Sequence, residues 1–286
     1  MKVAVITDSN SGITQYLGEE LGISIVPMPF SIDDETYFED ITLTRDEFYN
    51  KLTSDATIFT SQPSLGDILD LWKSTLETFD EIVYIPMSSG LSGSYESAAM
   101  LAHEFQGKVQ VVNNLRISVT LKQAVLDALF LVKAGKTSIE IKEILEESSY
   151  QARIYIMVDT LYYLKKGGRI TAAAAALGTM LKIKPVLQVQ GTKLDAFAKA
   201  RTSNQGKTLM INAIKHDLAT CFENVDPSLI KLSVVHSHNE EIALEWKAEI
   251  EALFPEYEVE LDHLSLSVAC HVGPGALAIA ATRICD

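Results

Sequence analysis

Cysteine is scarce in this sequence. Among 286 residues there are three cysteines, Cys221, Cys270 and Cys285. An odd number without the close spacing of a metal site argues against both a disulfide framework and a cysteine-bound metal. Such a cysteine pattern is typical of a reducing compartment, so the sequence predicts a cytoplasmic protein.

Long apolar runs are also missing. Met1 and Lys2 lead directly into the apolar residues 3–6, which leaves no room for the basic start, apolar core and cleavage site of a signal peptide. The alanine tract after Thr171 falls well short of the roughly 20 residues that cross a bilayer. We therefore expect neither secretion nor a membrane span.

Positive charge is in the minority. The chain has 24 Lys and Arg against 38 Asp and Glu, a formal net charge of −14. Such a chain repels phosphate backbones and lacks the electrostatic attraction on which nucleic-acid binding depends. This composition excludes a nucleic-acid partner.

Length and pattern together predict two α/β domains. The chain exceeds the roughly 250 residues at which one core usually stops growing. Short apolar runs, typical of strands buried on both faces, alternate with stretches of helical periodicity, and the alternation restarts after Tyr150. We therefore predict domains 1–150 and 151–286, each with a sheet flanked by helices.

Individual elements follow from the same patterns. Residues 3–6, 82–85 and 109–112 predict parallel strands, and residues 28–38 predict a hairpin around Asp33 and Asp34. Capping boxes predict helix starts at Thr44 with Glu47, Ser64 with Asp67 and Thr137 with Glu140. Beyond these we expect helices at 138–149, 161–166, 172–181, 205–222 and 240–254, and strands at 154–158, 184–189, 193–199, 232–235 and 256–261.

Three segments rich in hydroxyl groups stand where a strand or loop leads into a helix. They are TDSNS at 7–11, TSQPS at 60–64 and SSGLSGS at 88–94. Ligands of open α/β sheets bind beyond the carboxyl ends of strands, where helix N-termini expose N–H groups. A single Ser or Thr there is ordinarily a helix cap. The four serines and two glycines of 88–94 exceed that need, so we expect a small oxyanion site there.

Other motifs leave alternatives open. Residues 90–94 come within one glycine of the G-x-S-x-G nucleophile elbow, and a hydrolase would pair Ser92 with a histidine and an acid. Two Gly-Lys-Thr triplets lack the first glycine of a phosphate loop.

The candidate histidines are His236, His238, His263 and His271. His236 and His238 could hold a metal but more commonly face solvent, and His271, before Val-Gly-Pro-Gly, fits a ligand contact or a structural role equally.

Seven segments, in order, resemble the DegV family, whose members include FakB, the lipid-binding subunit of bacterial fatty acid kinase. They are VITDSNSGI from Val5, TSQPS from Thr60, SSGLSGSYESA from Ser88, LKKGGRIT from Leu164, LKIKPVL from Leu181, ARTS from Ala200 and CHVGPGAL from Cys270. The resemblance implies two α/β domains that enclose one long-chain fatty acid in a tunnel between them, with no cofactor. The implied ligand-binding residues are Thr60, Ser61, Ser92, Gly93 and His271.

The resemblance also implies a partner. A separate fatty acid kinase, similar to dihydroxyacetone kinases, would phosphorylate the bound carboxylate to an acyl phosphate for phospholipid synthesis, and the chain alone would not be an enzyme. Arg169 and Arg201 match basic positions expected to support this transfer. Phe59 and Cys270 depart from the family pattern and leave the acyl-chain preference open. A serine-dependent acyl hydrolase using Ser92 and His271, or a lipid-sensing regulatory module, remains an alternative.

Overall fold

A computed structural model describes residues 2–54, 56–177, 183–190 and 193–286. The chain divides into two compact units, Met1–Tyr150 and Gln151–Asp286. Each unit combines sheets with helices, which confirms the predicted α/β class. Within the described residues, no helix is both long and apolar enough to cross a membrane.

The first unit contains a parallel sheet, a small antiparallel sheet and surrounding helices. Its strands are β1 Val3–Asp8, β2 Ser24–Val26, β3 Pro29–Ile32, β4 Glu35–Phe38, β5 Ile58–Thr60, β6 Glu81–Ile85 and β7 Val109–Val111. Its helices are α1 Gln15–Leu21, α2 Arg45–Leu52, α3 Leu65–Thr75, α4 Ser94–Ala102, α5 Val119–Lys133 and α6 Ser138–Glu147.

The parallel sheet has the strand order β2-β1-β6-β7. Every residue of β1 is buried, as are the last four of β6, because helices cover both faces of the sheet. This confirms the strands predicted from continuous apolar runs. On one face, the ring of Trp72 from α3 meets that of Tyr84 from β6 edge to face, with centroids 5.6 Å apart.

The small sheet has the order β4-β3-β5 and includes the predicted hairpin. Its turn residues Asp33 and Asp34 have φ angles of 49° and 70°. Positive φ at both central residues is the geometry that matches the twist of a two-residue hairpin. Phe30 of β3 packs edge to face on Phe48 of α2, with centroids 5.4 Å apart, so the hairpin and α2 share a small core.

The helix starts follow the predicted capping residues. Both halves of the capping box are present at Thr44 with Glu47 and at Thr137 with Glu140. At the start of α3, the Ser64 hydroxyl accepts the Asp67 N–H at 3.4 Å. These contacts satisfy backbone donors that the first turn of a helix leaves without a partner.

The second unit is built on one mixed sheet. Its strands are β8 Ala152–Met157, β9 Lys184–Val189, β10 Leu194–Ala200, β11 Ile230–His236, β12 Glu258–His263 and β13 Leu277–Arg283. Its helices are α7 Tyr162–Gly167, α8 Ala172–Leu177, α9 Ser203–Thr220, α10 Glu240–Leu253 and α11 Leu266–Val272.

The sheet order is β10-β9-β8-β13-β11-β12, in which β11 and β12 pair in parallel and the other neighbours are antiparallel. The predicted strands and helices before residue 264 are present; β9 has the predicted bounds, and most of the others have shifted ends. The end of the helix predicted over 172–181 lies outside the described residues, as does the beginning of the LKIKPVL motif. The sequence did not predict α11 or β13.

The core of the second unit includes Trp246 of α10, Ile214 of α9 and Val234 of β11, all fully buried.

Candidate functional site

The connections of the parallel sheet diverge between β1 and β6. From β1 the chain passes through α1 to β2 on one side, and from β6 it passes through α4 to β7 on the other. In open α/β sheets, this switch point is where ligands bind, beyond the carboxyl ends of the strands. Segments 7–11 and 88–94 begin at or just beyond the ends of these two strands.

The serine-rich segment 88–94 folds into a tight turn before α4. Ser92 N–H donates to Ser88 O at 3.2 Å, and Ser88 N–H donates to Arg116 O at 2.9 Å. The Ser92 and Ser94 hydroxyl oxygens are 2.7 Å apart, and the Ser92 oxygen also accepts the Ser94 N–H at 3.2 Å. The half-buried Ser92 hydroxyl therefore lies at the N-terminus of α4, beside Gly93, where the helix dipole favours negative charge.

The segment that contains Thr60 meets this turn through Gln62. Thr60 is the half-buried last residue of β5, and Ser61 is exposed. Gln62 Oε1 accepts a hydrogen bond from the Ser97 hydroxyl at 3.1 Å. A Cβ atom on Gly93 would lie 3.2 Å from the same oxygen. The fold thus brings together two of the three predicted segments, and the contact is made by Gln62, which is not among the predicted ligand-binding residues.

The side chains of segment 7–11 are used within the fold. The Thr7 hydroxyl donates to Ile85 O at 2.7 Å, and the Ser11 hydroxyl donates to Asp8 O at 2.9 Å. Both residues are fully buried. These two hydroxyls therefore have a structural role. The Thr7 hydroxyl links β1 to β6, and the Ser11 hydroxyl closes the turn after β1.

Asp8 is a buried acid at the switch point. Its carboxylate accepts the Met87 N–H at 2.8 Å and the Asn10 N–H at 2.9 Å, so it ties the end of β1 to the chain that follows β6. Burial raises the pKa of Asp8 to about 6, although these two N–H donors act in the opposite direction. Asp8 belongs to segment 7–11, but nothing in the sequence distinguishes this buried acid from the many others.

In the second unit, His271 lies on α11 against the end of α7. A Cβ atom on Gly167 would be 2.0 Å from His271 Nδ1, so the ring rests directly on the glycine backbone. Arg169 Nη1 donates a hydrogen bond to Gly167 O. Burial, followed by the positive charge of Arg169, lowers the pKa of His271 to about 4. The imidazole is therefore neutral at physiological pH and acts as an uncharged hydrogen-bonding group.

The two predicted basic residues lie at opposite ends of β10. Arg169 O accepts the N–H of Leu194, the first residue of β10. Arg201 follows the last residue of β10, and its N–H donates to Gln205 Oε1 at 2.8 Å. A strand of this length separates the two backbones by roughly 20 Å. Arg169 is thus close enough to His271 to affect its pKa, whereas the backbone of Arg201 lies at the other end of β10.

The other candidate histidines have local partners. His236 and His263 are paired residues of β11 and β12, with ring centroids 6.5 Å apart. His236 Nδ1 accepts the Asn239 N–H at 3.2 Å, and His263 Nδ1 lies 3.4 Å from Asp262 Oδ1. Over the part of the chain that the structure describes, no group of three or more His, Cys, Asp or Glu side chains is arranged to hold a metal ion.

Known proteins resemble the chain over its whole length. The family model for the uncharacterised DegV family proteins matches residues 2–283. Protein DegV of Bacillus subtilis is 31% identical over 284 residues, with 98% of each chain covered. The solved structure of a fatty-acid-binding DegV family protein from Thermus thermophilus has a TM-score of 0.90 and 29% identity, with 99% of this chain and 100% of that chain covered. The crystal structure of DegV, a fatty acid binding protein from Bacillus subtilis, has a TM-score of 0.86 and 29% identity, with 99% of each chain covered. This chain belongs to the DegV family.

Proposed function

We propose that this chain binds one long-chain fatty acid and presents its carboxylate to a partner fatty acid kinase, similar to dihydroxyacetone kinases, for acyl phosphate formation. The observation that carries this proposal is the meeting of the Thr60 and Ser92 segments at the N-terminus of α4 through Gln62. Two similar solved structures are of fatty-acid-binding proteins. Thr60, Ser61, Ser92, Gly93 and His271 are the proposed head-group contacts.

The acyl chain would supply most of the affinity. Burial of a methylene group is worth about 0.8 kcal/mol, so enclosing roughly 16 carbons yields on the order of 12 kcal/mol before the costs of association and ordering. The head-group contacts then serve mainly to orient the carboxylate. Hydroxyl groups and a neutral imidazole suit this role, because they hold an anion less tightly than a bidentate arginine does.

A carboxylate held by uncharged donors keeps one oxygen available as a nucleophile. In the proposed transfer, this oxygen forms a bond to the γ-phosphorus of ATP on the kinase, the bond from that phosphorus to the bridging oxygen breaks, and ADP leaves. Positive charge stabilises such a transition state, in which negative charge spreads over the phosphoryl oxygens. Arg169 and Arg201 are the proposed sources of that charge on this chain.

Lipid binding is tested on purified protein by native mass spectrometry with lipid extraction, followed by titration of delipidated protein with fatty acid. Ser92→Ala and Thr60→Val should each weaken binding about tenfold or more, because a hydrogen bond to a charged group is worth about 1.5–3 kcal/mol. Ser74→Ala is the matched control, since its exposed hydroxyl bonds only within α3. Wild-type affinity in both site variants would contradict these head-group contacts.

The kinase step is tested separately with the partner kinase and ATP. Arg169→Ala should reduce acyl phosphate formation more than it reduces fatty acid binding. Lys247→Ala, which removes a cation paired with Glu251 on α10, is the control and should change neither. Equal losses of binding and phosphorylation in Arg169→Ala would argue against a role in transfer.

The alternatives give different results in the same assays. A serine hydrolase would cleave acyl esters steadily without kinase or ATP, and this cleavage would be lost in Ser92→Ala. The Ser92 hydroxyl pairs with the Ser94 hydroxyl. The first unit contains one histidine, His103, and it lies beyond the far end of α4 from Ser92, so the histidine that a hydrolase needs would not come from the first unit. A lipid-sensing module would bind fatty acid yet give no acyl phosphate with the kinase.

A further inference from the structure

We propose that Ser94 is a positioning residue for the lipid head group: its buried hydroxyl donates a hydrogen bond to Ser92 Oγ, so that the Ser92 hydroxyl keeps its own hydrogen for an acceptor on the ligand. This inference rests on the proposed function. It adds the direction of one hydrogen bond and, from that direction, the class of head group that the turn before α4 fits.

The two hydroxyl groups of this pair differ in burial. Ser94, the first residue of α4, is 2% exposed, whereas Ser92 is half-buried. Their oxygens are 2.7 Å apart, a separation compatible with either direction of donation. Among the residues that the structure describes, the Ser94 hydroxyl has no other hydrogen-bond partner. Donation from Ser92 to Ser94 would leave a buried hydroxyl hydrogen without an acceptor, which is the unfavourable arrangement. The bond therefore runs from Ser94 to Ser92.

The same turn fills the acceptor positions of Ser92. A hydroxyl oxygen has two lone pairs and one hydrogen. Ser92 Oγ accepts the Ser94 N–H at 3.2 Å in addition to the Ser94 hydroxyl. Both lone pairs are then in use, and the hydrogen is the part of the Ser92 hydroxyl that is left for a ligand. Acceptance of these two bonds also polarises the Ser92 O–H group and strengthens it as a donor.

This arrangement fits a head group that accepts hydrogen bonds and donates none. An ionised carboxylate is such a group. The Ser92 donor also lies at the N-terminus of α4, where the helix dipole favours negative charge. A fatty alcohol fits less well, because its oxygen is uncharged and its hydrogen would find no free lone pair on Ser92.

The direction of the bond also separates binding from acyl transfer. A catalytic serine attacks through a lone pair of its oxygen while a base takes its hydrogen. In this turn the N–H and O–H groups of Ser94 occupy both lone pairs of Ser92. Ser92 is therefore arranged as a hydrogen-bond donor and not as a nucleophile.

The first test compares hexadecanoic acid with hexadecanol, two ligands of equal chain length. Ser94→Ala removes the donor and frees a lone pair on Ser92 that an alcohol can use. It should weaken binding of the acid about three- to tenfold, the loss of roughly one neutral hydrogen bond, and leave binding of the alcohol within about twofold of wild type. Ser94→Thr retains a hydroxyl and should restore the preference for the acid.

Ser138→Ala is the matched control. Ser138 is likewise the buried first residue of a helix in the first unit, α6, and its hydroxyl makes no hydrogen bond within the described part of the chain. Both affinities should be unchanged in this variant. Equal losses for the acid and the alcohol in Ser94→Ala would give Ser94 a structural role alone, and unchanged or tighter binding of the acid would mean that Ser94 is not the donor. Each of these results would overturn the proposal.

The second test needs neither a variant nor a lipid. Neutron diffraction from deuterium-exchanged crystals of the lipid-free protein shows which hydroxyl places its deuterium between the two oxygens. We expect the Ser94 deuterium there and the Ser92 deuterium directed out of the turn; a Ser92 deuterium between the oxygens would refute the inference. Because this measurement is valid even if the protein binds no fatty acid, failure of the inference can be distinguished from failure of the proposed function.

Discussion

Asp8 provides a quantitative test of how the switch point of the parallel sheet is held together. It is fully buried, and its two oxygens accept the N–H groups of Met87 and Asn10. Burial raises the pKa of Asp8 from 3.8 to about 6, so the folded protein binds this proton more tightly than the unfolded chain does. The contribution of Asp8 to stability is complete below pH 3.8 and is lost as the pH rises through 6.

The size of this effect follows from the two pKa values. A difference of one pH unit corresponds to about 1.4 kcal/mol, so the ionised Asp8 costs the folded state about 3 kcal/mol at pH 7. About 2 kcal/mol of that cost develops between pH 4.5 and pH 7. The variant Asp8→Asn has no charge to bury and lacks this dependence, although it loses one acceptor for a backbone N–H.

The assay compares the free energies of unfolding of Asp8 protein and Asp8→Asn protein in urea at several pH values. The chain has two tryptophans, Trp72 in the first unit and Trp246 in the second, so a Trp246→Phe background restricts the fluorescence signal to the first unit. The stability of the Asp8 protein relative to the Asn variant should fall by about 2 kcal/mol from pH 4.5 to pH 7. If the stability of the Asp8 protein relative to the Asn variant stayed constant or rose over this pH range, the reasoning would be refuted.

Two further predictions concern glycine, one in each unit. Asp34→Gly should raise the free energy of unfolding of the first unit by about 0.5–1 kcal/mol, because glycine adopts the φ of 70° at the hairpin turn without steric cost; urea unfolding through Trp72 checks this, and a loss of stability would contradict it. Gly206→Ala should lower the stability of the second unit by about 1–3 kcal/mol despite the better helix propensity of alanine, because the new Cβ would lie 2.3 Å from Met157 Sδ. Unfolding followed through Trp246 in a Trp72→Phe background measures it, and unchanged stability would show that Met157 moves aside at little cost.

Much of the fold could be predicted because its local signals agree with one another. The continuous apolar runs of β1 and β6 are typical of parallel strands covered on both faces, and the capping boxes at Thr44 and Thr137 satisfy donors within a single turn. The strand β13 gave no comparable signal. Its residues Leu277–Arg283 mix alanine with larger apolar side chains in a short run, a pattern that fits a buried helix as well as a strand.

The candidate site could be predicted only in part, for a related reason. Clusters of hydroxyl groups mark segments 60–64 and 88–94, but the contact between them depends on Gln62 and Gly93, which are far apart in sequence. Likewise, the sequence shows two glycines at 167 and 168, and only packing against His271 distinguishes one from the other. Close approach of this kind is a property of tertiary structure, and no local pattern encodes it.

The distribution of charge gives a reason why the proposed head-group donors are uncharged. Residues 1–150 contain 10 Lys and Arg against 23 Asp and Glu, whereas residues 151–286 contain 14 against 15, so a net charge of −13 out of −14 belongs to the first unit. The field of such a unit opposes an approaching anion, though salt screens it beyond about 8–10 Å. In the proposed function, binding of a carboxylate beside Thr60 and Ser92 would therefore depend on short-range hydrogen bonds and the dipole of α4, with the free energy supplied by the acyl tail. A weakly held head group is also what a carrier needs if the same carboxylate is to react while bound.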